Sequence, residues 1–588
     1  MNIILAPINA KFIHSSLAAY SLYAYLGEEK ENVLIKEFTI NHSEDLIISE
    51  LFSLQPDMLA FSCYIWNIEM ILSIVRTLKK ILPTVKIVLG GPEVSYEFDY
   101  LFAYGVDVIV LGEGEQSFKL IVQDFLTHKP LQQIYKSSGV SLGDIPFPYQ
   151  DNYHQNDHNQ RQINLNRNQN NQNNKLFSTA FAEFNNRILY YETTRGCVNN
   201  CGFCLSSATK GVKFLPMERV KADLALFLAA KVKQVKFVDR TFNCNKQHTL
   251  DIWSYLIQND NGITNFHFEI AGDLLDEDMI NLIGQARKAL FQFEIGVQST
   301  NPETLTAINR STDTTLLLKN VSTLKSMGNV HCHLDLIVGL PYENKQSFIQ
   351  SFNDVMSCFP DKLQVGFLKL LKGSSLRKDA NKYGIQSKDS PPYEILSNKF
   401  MGFDVINKLK KIEHMVDMFY NSDGFKCYVQ FMVQQFKAPY DFFDALSTYW
   451  EQNGYHLVSH KRLALYTILY EFGKDIAFSN VSDARMTSVG TLNMVMTNVD
   501  ISDSVVMKIS ELLKFDMLIQ ENFRTFPEWI TSYYHYDHKL ITRTSGIHTF
   551  NYDIIEWLKD IELPLLSKQI KVQFDYGKKK DVRYSVCS

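Results

Sequence analysis

Short apolar runs alternating with amphipathic stretches set the pattern of the first 125 residues. Ile3–Ala6, Met58–Ser62, Ile87–Gly90 and Asp107–Leu111 read as buried strands. The segments Ser16–Leu26, Ile68–Leu82 and Glu115–Phe125 read as helices between and after them. Strands separated by helices predict a parallel, doubly wound sheet whose ligands bind beyond the carboxyl ends of the strands. Those ends carry Asn9 to Ser16 with His14, Ser62 to Asn67 with Trp66, Gly90-Gly91-Pro92-Glu93, and Gly112-Glu113-Gly114-Glu115. Glycines at such positions let the backbone approach a flat or phosphate-bearing ligand closely, although turn glycines of any nucleotide-type fold look the same.

A second strand–helix series runs from Ile188 to about Gly384. Its apolar strands are Ile188–Tyr191, Val235–Asp239, Phe266–Ala271, Gln292–Ser299, His333–Pro341 and Val365–Leu370. Six such units predict an α/β barrel, with polar residues gathered at the strand ends where barrel chemistry sits. Residues 390–588 carry helical patterns, such as Tyr393–Met415 and Lys461–Phe472, and read as mostly α-helical. Between the two α/β parts, His154–Asn174 is almost entirely Asn and Gln, a composition that cannot offset chain entropy by burial. The domains expected are therefore 1–145, a linker at 146–185, a barrel at 186–385 and a helical domain at 386–588.

Composition changes this picture little. Hydrophobic residues make up 45% and charged residues 21% of 588, as in ordinary soluble proteins, and a net charge of −5 gives no footprint for nucleic acid. No apolar run reaches the length of about 18 residues that suggests a membrane span. The start reads as a buried strand rather than a signal peptide. Nine cysteines, three of them clustered, fit a reducing cytoplasm better than a disulfide framework.

Those three cysteines are the strongest chemical signal. Cys197, Cys201 and Cys204 follow a predicted strand in a Cys-x3-Cys-x2-Cys run. Soft thiolates converging from one tight loop suit an iron–sulfur cluster, and three ligands rather than four leave one iron open. A zinc site completed by a distant histidine, or plain buried thiols, are the other readings of the same spacing.

The loop Arg195-Gly196-Cys197 through Phe203-Cys204 resembles that of radical S-adenosylmethionine enzymes, with Val198 where many members have proline. The Gly-Gly-Pro turn and the Gly-Glu-Gly-Glu segment ahead of it resemble the cobalamin-binding domain of cobalamin-dependent members. The run of Tyr190 to Cys197, Lys236 to Asn243 and Gly339-Leu340-Pro341 is similar to a bacterial family of this class with an uncharacterised C-terminal domain, of the domain of unknown function 4080 type. The resemblance implies a Rossmann-like cobalamin domain, a partial (β/α)6 barrel, a 4Fe–4S cluster, S-adenosylmethionine and cobalamin. It places Asp239, Arg240 and Thr241 at the methionyl group, and Glu294, Gln298 and Ser299 at the ribose. Gly339 and the Phe203 backbone then fall at the adenine, and Glu269 at substrate or S-adenosylmethionine. For cobalamin it implies Ser62, Trp66, Gly90, Gly91, Glu93, Gly112 and Gly114. The Asp-x-His-x-x-Gly signature of a lower axial histidine is missing, and His14 lies in the corresponding loop as an axial or tail-contacting residue. Each of these side chains also reads as an ordinary interior hydrogen-bonder.

Radical methylation of an unactivated carbon, fed by a flavodoxin- or ferredoxin-type electron donor, is the reaction the resemblance implies. Rearrangement, cyclisation, methylthiolation and a non-catalytic cobalamin or redox sensor stay open. Methylthiolation lacks a second trio of clustered cysteines. The sequence does not identify the substrate.

Overall fold

A computed structural model describes residues 1–149, 184, 186–208, 211–487, 498–521, 526–531, 542, 544–576 and 582–587. It forms two compact units, one of residues 1–361 and 365–406, the other of 362–364 and 407–588.

The first unit begins with six parallel strands in the spatial order Val33–Ile35, Ile3–Leu5, Met58–Ser62, Lys86–Gly90, Val108–Leu111 and Ile134–Lys136. The middle strands are buried over nearly their whole length, which is why they read as continuous apolar runs. Helix Ile68–Ile81 presents Ile71, Leu72, Ile74, Val75 and Leu78 to this sheet at helical spacing. The order reverses between the strands at residues 3–5 and 58–62, so the loops after them open a crevice at that switch point.

A second sheet follows, with strands Ile188–Tyr191, Gln234–Phe237, Asn265–Ile270, Phe291–Gln298, His331–Val338 and Lys362–Phe367 adjacent in sequence order. This is the open six-stranded barrel expected. In the fourth strand burial alternates strictly. Phe291, Phe293, Ile295 and Val297 are buried, and Trp253 of a covering helix packs on both phenylalanines. Gln292, Glu294, Gly296 and Gln298 take the other face, so the barrel interior is polar. Ile188 N donates to Ile13 O at 2.7 Å, which ties the exposed edge of the first barrel strand to the preceding sheet's first loop.

The expected linker starts with ordered residues. Phe147 and Tyr149 are buried against Phe227 of the first barrel helix, and Tyr149 Oη donates to Tyr190 O at 2.9 Å. The Asn/Gln-rich stretch lies outside the described residues. Residues 393–402, expected as helix, instead include the short strand Ile395–Ser397 paired with Gln386–Ser387; the helix starts at Phe403.

The second unit is helical over Lys426–Val433, Pro439–Gln452, Arg462–Thr487 and Asn498–Gln520. It also holds a three-stranded antiparallel sheet, Ser545–Tyr552, Ser567–Asp575 and Arg583–Val586, which the expectation of a helical domain left out. Among the described residues, no helix is long and apolar enough to cross a membrane.

Candidate active site

The three cysteines sit on a loop whose stem is a small hairpin. Strand Thr194–Gly196 pairs antiparallel with Val212–Phe214 directly after the first barrel strand. Gly196 has φ +107°, and a Cβ there would stand 2.2 Å from Gly211 O, so glycine alone permits this stem. The loop is anchored by Gly202, whose N–H donates to Ile308 O and whose carbonyl accepts from Leu376 N, both at 2.8 Å.

None of the three thiols is in a disulfide; Cys201 is buried and the others are half-buried. Each sulfur receives an N–H: Asn199 N to Cys197 at 3.4 Å, Ser206 N to Cys204 at 3.4 Å, and Arg310 Nη1 to Cys201 at 3.7 Å. Burial pushes the Cys201 thiol up, and the Arg310 guanidinium opposes it. Sulfurs surrounded by N–H donors suit thiolates that carry metal, so the residues fit an iron–sulfur cluster. Thr241 Oγ1 lies 3.5 Å from Cys197 Sγ and accepts from Asn199 Nδ2 at 3.4 Å, at the rim of the same loop.

Arg195, in the hairpin stem, joins this loop to the first sheet. It donates to Glu115 at 2.8 Å and Glu113 at 3.2 Å, and grips Glu192 through Nε at 3.0 Å and Nη2 at 2.7 Å. Lys213 on the paired strand donates to Glu113 at 2.8 Å. The Gly-Glu-Gly-Glu segment is thus held by its acids as much as shaped by its glycines. Arg195, Glu113, Glu115 and Glu192 were absent from the expected site; the pairing of Arg195 with Glu113 and Glu115 spans about 80 residues of sequence and leaves no local signature, whereas Glu192 is only three residues away. Glu115 is 5% exposed and its Oε2 has no hydrogen-bond partner, leaving one acceptor unused.

A cavity of about 590 Å³ lies between the loops of the first sheet and the ends of the first two barrel strands. Asn9, His14, Ser62, Trp66, Gly112 and Glu115 line one side, with Tyr190, Glu192, Arg195 and Arg240 on the other. A second, more apolar cavity of about 130 Å³ is lined by Ala60, Phe61, Val88, Gly90, Val110 and Phe118, and shares Ser62, Gly112, Gly114 and Glu115 with the first. Trp66 stacks face to face on Tyr64, ring centroids 4.3 Å apart, and is 46% exposed. A Cβ on Gly112 would meet nothing within 4 Å, so this backbone borders open space. A flat aromatic wall, bare backbone and an unused buried carboxylate oxygen fit a large planar cofactor bearing amide groups, with a narrow apolar slot beside it for a tail.

His14 faces the same cavity, and its Nδ1 lies 2.6 Å from Tyr190 Oη. Burial, with Lys11, Lys236 and Arg187 nearby, lowers the imidazole's pKa and favours the neutral ring. A neutral ring engaged at Nδ1 leaves Nε2 for a ligand.

Several expected ligand-binding residues have other partners. Glu93 is buried, paired with Lys372 Nζ at 2.9 Å and accepting from Tyr393 Oη, because the Gly-Gly-Pro turn faces the segment after the sixth barrel strand. Gly91 has φ +108° and would place a Cβ 2.6 Å from Cys63 O, so it serves that close approach. Asp239 is fully buried, accepts from Thr193 N at 3.0 Å and from Thr193 Oγ1, and is pushed up by burial to about 6. Through Thr193 it pins the cysteine loop's entry. Ser299 turns inward and donates to buried Glu343 at 2.6 Å. Gly339 has φ +88°, and a Cβ there would stand 2.7 Å from Ile395 Cδ1, so backbone conformation and packing both favour glycine.

Gln298 keeps an unused acceptor. Its φ is +70°, rare for a side-chain-bearing residue, and its buried Oε1 has no hydrogen-bond partner. Gly296 makes room for it, since a Cβ there would meet Gln298 Nε2 at 2.3 Å. An orphaned amide oxygen at the end of the fourth strand fits a ligand hydroxyl.

Deeper in the barrel, the expected Glu269 and Glu294 belong to a larger charged set. Lys236 Nζ lies 2.8 Å from Glu294 Oε2 and 3.9 Å from Glu269 Oε1, and His267 Nε2 is 3.1 Å from Glu294 Oε2. Burial, with Glu294 next, raises Glu269 to about 7. Burial opposes ionisation of Glu294, yet His267 and Lys236 hold it well below the usual carboxylate range. Lys236, His267, His333 and Asp335 were missed as site residues, although their alternation with Phe266, Phe268 and Leu334 marks the interior face.

Residues 5–122 match the B12 binding domain, 191–355 the radical SAM superfamily, and 381–580 the family described as protein of unknown function DUF4080. The 2-(S-pantetheinyl)-carbapenam-3-carboxylate methyltransferase of Streptantibioticus cattleyicolor is 26% identical over 50% of this chain and 44% of its own length. The cobalamin-dependent radical SAM methyltransferase TokK of Streptomyces tokunonensis is 23% identical over 57% of this chain and 50% of its own. The chain spans about half the length of these curated relatives. In fold it is similar to the cobalamin-dependent S-adenosylmethionine radical enzyme OxsB with aqua-cobalamin bound, with a TM-score of 0.53 at 13% identity over 90% of this chain and 83% of that one.

Proposed function

With a B12-binding domain, a radical SAM domain and a DUF4080 region joined in one chain, we propose that this protein is a cobalamin-dependent radical methyltransferase. It would place a methyl group on an unactivated carbon of a substrate yet to be identified. The observation that carries the reading is the 590 Å³ cavity, bounded by glycine-rich strand ends on one side and by the stem of the cysteine loop on the other. Two similar relatives are named as methyltransferases, which supports the same reaction class.

Cys197, Cys201 and Cys204 would hold a 4Fe–4S cluster; Gly112, Gly114, Ser62, Trp66 and His14 would border cobalamin. When bound, the cluster with S-adenosylmethionine supplies one-electron hydrogen abstraction, and the corrinoid supplies a methyl group. The chain's own part is placement. Arg240 at the cavity wall is suited to a carboxylate, and Gln298 Oε1 to a hydroxyl. Arg195 fixes the distance between the cysteine loop and the glycine-rich floor. A flavodoxin- or ferredoxin-type protein would deliver the electrons.

The test is product mass in anaerobic incubations with S-adenosylmethionine, a reductant and candidate substrates. A gain of one methylene with release of 5′-deoxyadenosine supports the reading. Release of 5′-deoxyadenosine with an unchanged product mass would assign rearrangement or cyclisation instead.

A further inference from the structure

The fourth and fifth barrel strands bring three potential metal ligands together below the barrel mouth. Glu294 pairs in register with His333, and Gly296 pairs with Asp335. Residues two apart share a face, so His333 and Asp335 both join Glu294 inside the barrel. One ligand atom from each of the three lies within 4.8 Å of the others.

The local geometry points to an ion. His333 is 6% exposed, and its Nε2 makes no hydrogen bond. Asp335 Oδ1 stands 2.9 Å away, an ion-pair distance if the ring is protonated, but it too makes no hydrogen bond. An imidazole nitrogen and a carboxylate oxygen this close, yet not aligned as donor and acceptor, fit lone pairs directed at a third point. Neighbouring ligands on a six-coordinate ion with bonds of about 2.1 Å stand about 3 Å apart, which matches. Lys236 Nζ donates to Glu294 Oε2 at 2.8 Å and His267 Nε2 stands 3.1 Å from the same oxygen without a hydrogen bond, so Oε1 is left for coordination.

We propose that Glu294, His333 and Asp335 bind a divalent cation inside the barrel, separate from the cysteine loop. Two carboxylates and one imidazole, an oxygen-rich set, suit Mn2+. Three protein ligands leave about three positions of a six-coordinate ion open, enough to hold an anionic group of a substrate, a carboxylate or a phosphate. The site rests on the barrel's own geometry and stands apart from the methyl-transfer reading.

The experiment is a Mn2+ titration of the chelator-washed, anaerobic holoenzyme, followed by electron paramagnetic resonance with the cluster oxidised. Iron and corrinoid contents are measured on the same samples as controls. The proposal expects one bound Mn2+ per chain, binding weakened more than tenfold in Asp335→Asn and His333→Ala, and binding within threefold of wild type in Glu269→Gln. Iron content should be equal in all four proteins. A free-ion spectrum throughout the titration, or Asp335→Asn and His333→Ala binding as tightly as wild type, would overturn it. Neither result bears on the cysteine loop or the cobalamin cavity.

Discussion

Arg195, two residues before the first cysteine of the loop, donates to Glu115 at 2.8 Å and so ties the radical SAM domain to the B12-binding domain. Glu113 and Glu192 share the same guanidinium. Replacing it leaves three acids without their common cation, and losing one member of a largely buried ionic set costs about 3 kcal/mol or more. Arg195→Ala should lower the thermal unfolding midpoint and reduce retained corrinoid. Arg195→Lys should recover part of both, since one ammonium cannot span three carboxylates. Unchanged melting and corrinoid content in Arg195→Ala would contradict this assignment.

Gly196→Ala should strip iron while leaving the first domain folded. The new Cβ would stand 2.2 Å from Gly211 O, a backbone atom of the paired strand, at a φ of +107°. The stem must open, and the cysteines lose their common position. Iron content measured beside cobalamin binding reads this directly: iron should fall severalfold with cobalamin binding kept. Full iron content would show that the stem tolerates the change.

How much was legible in the sequence follows from how local each signal is. The cysteine loop and both strand–helix series were legible, because spacing and apolar runs depend on neighbouring residues. Direction of burial was not. Glu93, Asp239 and Ser299 sit at strand ends where ligands bind, yet each turns to a partner inside the protein: Lys372, Thr193 and Glu343 respectively. The C-terminal sheet was missed. Ile570, Val572 and Phe574 alternate cleanly with exposed residues, but in Ser545–Tyr552 the buried face includes Gly546 and His548, which breaks the apolar pattern.

Glu343 predicts a pH dependence of stability. Burial raises its pKa to about 8 from 4.5, with the Ser299 and Ser351 hydroxyls opposing. The folded state therefore holds a proton that the unfolded chain releases. Its stabilising effect is complete below about pH 4.5 and is lost as pH rises to about 8, at up to about 1.4 kcal/mol per unit. Between pH 5.5 and 8 the unfolding midpoint should fall in wild type and fall less steeply in Glu343→Gln. Parallel profiles for the two proteins would remove Glu343 as the cause.

Trp66 should affect cofactor binding without affecting folding. It is 46% exposed and stacks on Tyr64 at the cavity wall. An aromatic contact contributes about 0.5–1.5 kcal/mol, so Trp66→Ala should weaken cobalamin binding roughly 2- to 13-fold. Equilibrium titration followed by corrinoid absorbance measures this, with thermal melting of the cobalamin-free protein as the control. Equal affinity in Trp66→Ala would place cobalamin away from this wall.

The most direct test of the account is the iron, sulfide and corrinoid content of protein purified anaerobically with cobalamin supplied. The account predicts about four irons, four sulfides and one corrinoid per chain, with iron lost and corrinoid kept when Cys197, Cys201 and Cys204 are replaced by alanine. Absence of corrinoid from the wild-type protein, or iron that survives loss of the three cysteines, would contradict it.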